Sequence, residues 1–278
     1  MDLKRASSSL LPVFVCGAPA CSPAMPVSTR PDFVAAAAGA AAGPPYVTDD
    51  PEPVDYRHFE TYIASIYTHG PGGVNYTAPH VEINYGAAPN LQLHIIAPMD
   101  YNLPPQGRNA YGYGDTELGA KFRFVQESAA RPMVGVFPLV EAPTGNASRG
   151  LGAGYTRVYL PVWLQKTAGS WQTYGGGGYW FNPGSGNRNY WFAGWQAQNQ
   201  ITKKLALGAE VFHTTPASVT DTDHTAFNVG AVYDFDDGHH LMLSLGRDIQ
   251  GSNVGMGYIA YQWTFGPHET AESKPAGG

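Results

Sequence analysis

Gly114-Asp115-Thr116-Glu117-Leu118-Gly119-Ala120-Lys121-Phe122-Arg123-Phe124 decides how this chain is read. Leu118, Ala120, Phe122 and Phe124 alternate with Glu117, Gly119, Lys121 and Arg123. Successive side chains of a strand point to opposite faces, so the segment has one apolar wall and one charged wall. A soluble sheet would show the same pattern once. Its recurrence along the chain is what points to a closed barrel in a membrane.

Working outward, strands are expected at 54–67, 78–87, 90–100, 112–126, 131–142, 153–166, 170–182, 189–200, 203–213, 224–235, 239–248 and 254–265. Val81, Ile83 and Tyr85 alternate with His80, Glu82 and Asn84, and Val158, Leu160, Val162 and Leu164 with Arg157, Tyr159, Trp163 and Gln165. The last strand sets Ile259, Tyr261, Trp263 and Phe265 against Gln262 and Thr264. The first, fifth and eighth strands leave their faces ambiguous. Joins after even strands read as tight: Ala88-Pro89, Glu127 to Ala130, Thr167 to Gly169, Ile201-Thr202 and Asp236 to Gly238. Joins after odd strands are longer, at 68–77, 101–111, 143–152 and 214–223, or intermediate, at 183–188 and 249–253. Short periplasmic turns alternating with longer outer loops are the pattern of outer-membrane barrels. The expected fold is therefore all-β, a transmembrane antiparallel up-and-down barrel of about twelve strands with both termini periplasmic.

Composition agrees with this reading. Only 14% of the 278 residues are charged, against about a quarter in ordinary soluble chains. Glycine and aromatic residues are plentiful, and no apolar run approaches the ~18 residues of a spanning helix. A formal charge of −6 argues against a nucleic-acid partner, which calls for a basic face. Both cysteines, Cys16 and Cys21, precede an apolar run from Phe33 that ends Ala40-Ala41-Ala42, an A-x-A-like cleavage pattern. The expected organisation is a leader at 1–42, a periplasmic N-terminal extension at 43–53, a barrel at 54–265 and a flexible polar tail at 266–278. Cleavage after Ala42 would leave no thiol, disulfide or cysteine metal site.

The segment Gly112-x-Gly114-Asp115-x-x-Leu118-Gly119-x-Lys121-Phe122-Arg123 resembles the signature of a family of outer-membrane proteins described as a component of the meta-pathway of phenol degradation, often labelled transporter. Pro45-x-Val47-Thr48-Asp49-Asp50-Pro51, Glu82-x-Asn84-Tyr85-Gly86, Pro143-Thr144-Gly145 and Gly175-Gly176-Gly177-Gly178-Tyr179 resemble it too, in order along the chain. The resemblance implies an outer-membrane β-barrel and a channel for small organic molecules. It brings no catalytic residues. The polar tail after Phe265 departs from barrels whose aromatic last strand ends the chain.

The face assignment puts Glu82, His94, Glu117, Lys121, Arg123, Arg157, Lys204 and Glu210 in the lumen. These mixed charges either pair to fill and stiffen the barrel or line a polar path without strong ion selectivity. Tyr179, Trp180, Tyr190, Trp191 and Trp195, with Trp263 and Phe265 on the last strand, are expected as interfacial aromatics at headgroup level. The nine histidines show no His-x-x-x-His or HExxH spacing, so no metal is expected. Ser65, Ser218 and Ser244 carry no nucleophile motif, so no enzyme is expected, and passive transport would need no cofactor. The functional expectation is passive passage of small organic solutes, aromatic or apolar ones included, across a bacterial outer membrane. The partners expected are membrane lipid, the solute and the outer-membrane assembly machinery. The alternatives are a structural or adhesive barrel with a plugged lumen, and a barrel lipid hydrolase.

Overall fold

The computed structural model describes residues 44–267, so the expected leader and nearly all of the expected tail lie outside the described residues. Twelve antiparallel strands form a closed barrel. They are β1 (Phe59–Gly70), β2 (Gly73–Ala88), β3 (Leu91–Leu103), β4 (Ala110–Tyr113 and Thr116–Val125), β5 (Met133–Val136 and Leu139–Ala142) and β6 (Arg157–Ala168). The circle continues with β7 (Trp171–Phe181), β8 (Tyr190–Thr202), β9 (Leu205–Thr214), β10 (His224–Asp236), β11 (His239–Gln250) and β12 (Gly255–Phe265). Each strand pairs with its sequence neighbour, and β12 returns to β1 in an unbroken register from Phe59↔Phe265 to His69↔Gly255. Among the described residues no strand edge is left unpaired, as a sheet in hydrocarbon requires.

Two strands are interrupted where the sequence demands it. In β5, Pro138 has no N–H for the ladder, yet its carbonyl still accepts from the Ala120 N–H at 3.2 Å. In β4 the break falls at Gly114-Asp115. The Asp115 carboxylate accepts the Gly145 and Ala153 N–H groups at 2.9 and 2.5 Å, and Thr144 Oγ1 donates to the Gly114 carbonyl at 2.9 Å. Two separate sequence motifs thereby meet, and together they pin the long β5–β6 connection over its neighbouring strand.

The connections mostly follow expectation, with two differences. Pro89-Asn90, Gly169-Ser170, Lys203-Lys204 and Asp237-Gly238 are tight turns at one end of the barrel, called here the turn end. The β4–β5 join at the same end, 126–132, is longer than expected because Pro132 delays re-entry into the sheet. At the opposite, loop end the β1–β2 join shrinks to Pro71-Gly72, since the strands continue through the region expected as a loop.

Alternation sorts the residues as the barrel requires. Leu118, Phe122 and Phe124 point outward, 46–53% exposed, while Glu117 and Lys121 point inward at 3% and 5%. The ambiguous β1 resolves with Tyr62, Ala64 and Thr68 inside and Ile63, Tyr67 and His69 outside. Outward aromatics gather at the two ends. At the loop end Tyr67, Tyr76, Tyr101 and Tyr111 are cross-strand partners in one row, with ring centroids 4.2 Å apart for Tyr76–Tyr101 and 4.3 Å for Tyr101–Tyr111. At the turn end Phe59 packs on Tyr85 and Phe265, and Trp263 on Phe265. Such paired bands mark the two interfaces of a membrane barrel.

Candidate functional site: the lumen and its inner segment

Among the described residues that precede β1, Pro45 to Val54 lie inside the barrel. Tyr46, Thr48 and Asp49 are buried at 1% exposure or less, although a polar stretch before a barrel would ordinarily be solvated. Its contacts run from mid-lumen to the turn end. Ser244 Oγ donates to the Pro45 carbonyl at 2.6 Å, and the Glu210 carboxylate accepts the Val47 and Thr48 N–H groups at 2.8 Å each. Lys121 Nζ meets Asp49 at 3.0 Å and Asp50 at 3.5 Å. Gln165 donates to Glu52 at 2.9 Å, and Gln92 Oε1 accepts the Val54 N–H at 2.9 Å. Gly194, Gly208 and Gly230 make room for the segment. A Cβ at these positions would come within 2.1 Å of Thr48 Oγ1, 2.4 Å of the Tyr46 hydroxyl and 2.9 Å of the Tyr46 ring.

Around this segment the lumen has two unlike sides. On β2–β4, Asn84 Nδ2 donates to Glu82 at 2.8 Å, and His94 links Asn84 Oδ1 at 2.7 Å to Glu117 at 3.0 Å. Arg157 pairs with Glu141 and lies 5.5 Å from the centre of the Trp180 ring. Arg123, half-buried toward the turn end, donates to Asn90 Oδ1 and stands 3.9 Å from Glu52. The other side is an aromatic block of Phe137, Tyr159, Trp163, Trp180, Tyr190, Phe192 and Phe212. Tyr159 and Trp180 stack at 4.7 Å, and Phe192 meets Tyr159 and Trp163 edge-on at 6.4 and 6.2 Å. Within or beside this block the Tyr159 and Tyr190 hydroxyls, Trp163 Nε1 and both amide atoms of Gln196 are buried with no hydrogen-bond partner among the described residues.

Seven of the eight residues expected in the lumen face inward: Glu82, His94, Glu117, Lys121, Arg123, Arg157 and Glu210. The structure joins Glu82, His94 and Glu117 through Asn84, and commits Lys121 and Glu210 to the inner segment. Lys204 is elsewhere, exposed in the β8–β9 turn with Nζ on the Phe235 carbonyl at 2.9 Å. Strand alternation assigns no face to a turn residue. Of the aromatics expected at the interface, Tyr179, Trp191, Trp195, Trp263 and Phe265 point outward. Trp180 and Tyr190 differ and point into the barrel at 1% exposure. The middle residue of Tyr179-Trp180-Phe181 must face opposite its neighbours. The same alternation puts Tyr190 opposite Trp191.

The sequence reading missed the inner segment. Its one usable signal was the acidic pair Asp49-Asp50 in a chain whose predicted lumen held an excess lysine. At the loop end, His224 bridges Asp221 at 2.9 Å and Asp248 at 3.3 Å, tying the β9–β10 connection to β11. Burial raises the Asp221 carboxyl, but hydrogen bonds from His224 and the Thr222 amide outweigh it and hold the group below the usual carboxylate range. Among the described residues no group of three His, Cys, Asp or Glu side chains is placed to hold a metal ion.

Comparison with known proteins adds a family and a fold. The sequence profile described as "Putative MetA-pathway of phenol degradation" matches residues 55–265. No curated protein sequence matches the chain. Among solved structures, the COG4313 outer membrane channel from Pseudomonas putida F1 superposes with a TM-score of 0.65 at 18% identity, covering 78% of this chain and 98% of its own. The KdgM porin in complex with disordered oligogalacturonate gives 0.53 at 11% identity, covering 74% and 99%. The translocator domain of the autotransporter NalP from Neisseria meningitidis gives 0.51 at 12%, covering 76% and 90%. At these identities the likeness concerns the barrel fold alone; the closed twelve-strand barrel together with the family match locates the chain in the bacterial outer membrane.

Proposed function

We propose, because the chain belongs to the outer-membrane β-barrel family described as the MetA-pathway of phenol degradation, that it is a passive channel for small organic solutes, aromatic ones in particular. The observation that carries this is the aromatic inner wall with its unpartnered Tyr159, Tyr190 and Trp163 polar atoms. Flat rings stack on aromatic side chains at centroid distances of about 4.5–7 Å. Buried hydroxyl and N–H groups left without partners cost about 1–3 kcal/mol each, so release of the inner segment, whose Val47 packs against the block, would let water or a solute's polar substituent reach them. The loop end faces outward in this reading, by the rule of short periplasmic turns. The inner segment enters from the periplasmic side and narrows the path.

That segment also favours a second reading, a barrel whose lumen stays plugged. Flux separates the two. The full chain in liposomes is offered benzenesulfonate and, at equal charge, ethanesulfonate. The channel reading expects passage of both, with the aromatic anion faster. Absence of flux for either would leave the plugged barrel, equal rates would remove the aromatic preference, and hydrolysis of liposome lipid would favour an enzyme.

A further inference from the structure

A small basic cleft interrupts the outer wall at the loop end, remote from the lumen. Arg247 on β11, Gly255 on β12 and His69 on β1 are direct cross-strand partners in one outward-facing row. Gly255 supplies no side chain, and a Cβ there would meet nothing closer than the His69 carbonyl at 3.9 Å. The result is a cleft of ≈ 320 Å³ lined by His69, Gly246, Arg247, Asn253 and Gly255. Arg247 donates to Asn253 Oδ1 and forms no ion pair with a carboxylate among the described residues. Its carboxylate neighbour Asp248 faces the other way and is held by His224.

The position of the row is informative. The next outward row toward the membrane is Leu245, Gly257, Tyr67 and Tyr76, continuing into Tyr101 and Tyr111. Tyrosine bands sit at headgroup level. Two residues further along a strand tilted 35–45° places Arg247 and His69 roughly 5 Å beyond the band, where headgroup phosphates lie. Below the cleft, Leu243, Leu245, Ile259 and Tyr67 form an apolar surface suited to acyl chains. A guanidinium on the lipid-facing wall is disfavoured near mid-membrane and tolerated near the interface. A phosphate there offers it a two-pronged, charge-assisted partner.

We infer that this cleft binds a phosphate group of the phosphorylated glycolipid of the outer leaflet. Arg247 holds the phosphate, while His69 and Asn253 are within reach of the sugar. The site is independent of solute passage and rests only on the loop end facing outward.

The test uses the full chain in detergent, mixed with bisphosphorylated lipid A, with phosphatidylglycerol or with inorganic phosphate, and read by native mass spectrometry. The wild type is expected to retain lipid A at least tenfold better than phosphatidylglycerol. Arg247→Ala should lose about tenfold of that retention. Gly255→Leu, which fills the cleft without removing a polar group and meets open space, should lose a similar amount. Arg108→Ala, on the β3–β4 loop, should change nothing. Unboiled gel mobility confirms that each variant is assembled, and conductance reports the channel separately. Retention equal to wild type in both cleft variants would overturn the proposal. Equal binding of phosphatidylglycerol would overturn the glycolipid assignment, and competition by millimolar inorganic phosphate would reduce the site to a general anion cleft.

Discussion

Replacing Glu210 by alanine should release the inner segment from the lumen. The Glu210 carboxylate, 2% exposed, accepts the Val47 and Thr48 N–H groups at 2.8 Å each and Asn228 Nδ2 at 2.5 Å. Hydrogen bonds to a charged group contribute about 1.5–3 kcal/mol each, so the two segment bonds hold roughly 3–6 kcal/mol. Part of that is offset, because alanine also removes the cost of burying a carboxylate. A net shift of about 2–3 kcal/mol toward the released form corresponds to a rise of roughly 30- to 150-fold in its population. In planar bilayers the fraction of time spent conducting should rise accordingly, until it saturates. Glu210→Gln, which keeps one acceptor oxygen, should fall between. If Glu210→Ala assembles normally and conducts for the same fraction of time as the wild type, the inner segment is not what limits passage.

Gly194→Val should open the channel by another route, since its Cβ alone would come within 2.1 Å of Thr48 Oγ1; single-channel recordings should show the change with Glu210 intact. Leu118→Arg puts a charge on the lipid face at about 2–4 kcal/mol near mid-membrane and should reduce the fraction that runs as the folded form in unboiled gels. Glu117→Ala should assemble better than Leu118→Arg and instead alter conductance, because it removes the Nε2 partner of His94 inside the barrel. Asp221 contributes stability to the β9–β10 connection that is present above the ordinary carboxylate value near 4 and lost as pH falls through its depressed one. Hydrogen exchange at the Ala217 and Thr222 amides, both donors to Asp221, should therefore accelerate only in strong acid, and Asp221→Asn should abolish that step.

The barrel was legible because most strands carry their own evidence, the first, fifth and eighth excepted. Leu118 to Phe124 shows its two walls without reference to any other segment, and the same holds for β2, β6 and β12. Legibility failed where placement depends on partners distant in sequence. Nothing local about Val47 and Thr48 indicates that their amides end on Glu210, more than 160 residues away. Trp180 and Tyr190 were misplaced for a different reason. A run of consecutive aromatics reads as an interfacial patch by composition, while alternation sends every second ring inward, where Trp180 stacks on Tyr159. Strand parity thus gave the charged side and put Tyr159 and Trp163 with it, while the packing of those rings against Trp180, Tyr190 and Phe192 emerged only from the closed ring.

Gly194, Gly208 and Gly230 give the inner segment a meaning beyond transport. They form a track on three successive strands, β8 to β10, shaped to Thr48 and Tyr46. The barrel wall is in effect a cast of residues 46 to 48, and neither surface can drift alone. Among related chains a bulkier residue at any of the three positions should travel with a smaller one at 46 or 48, a paired variation that sequence comparison alone could detect. Grafting the segment onto a barrel without such a track should fail for want of room.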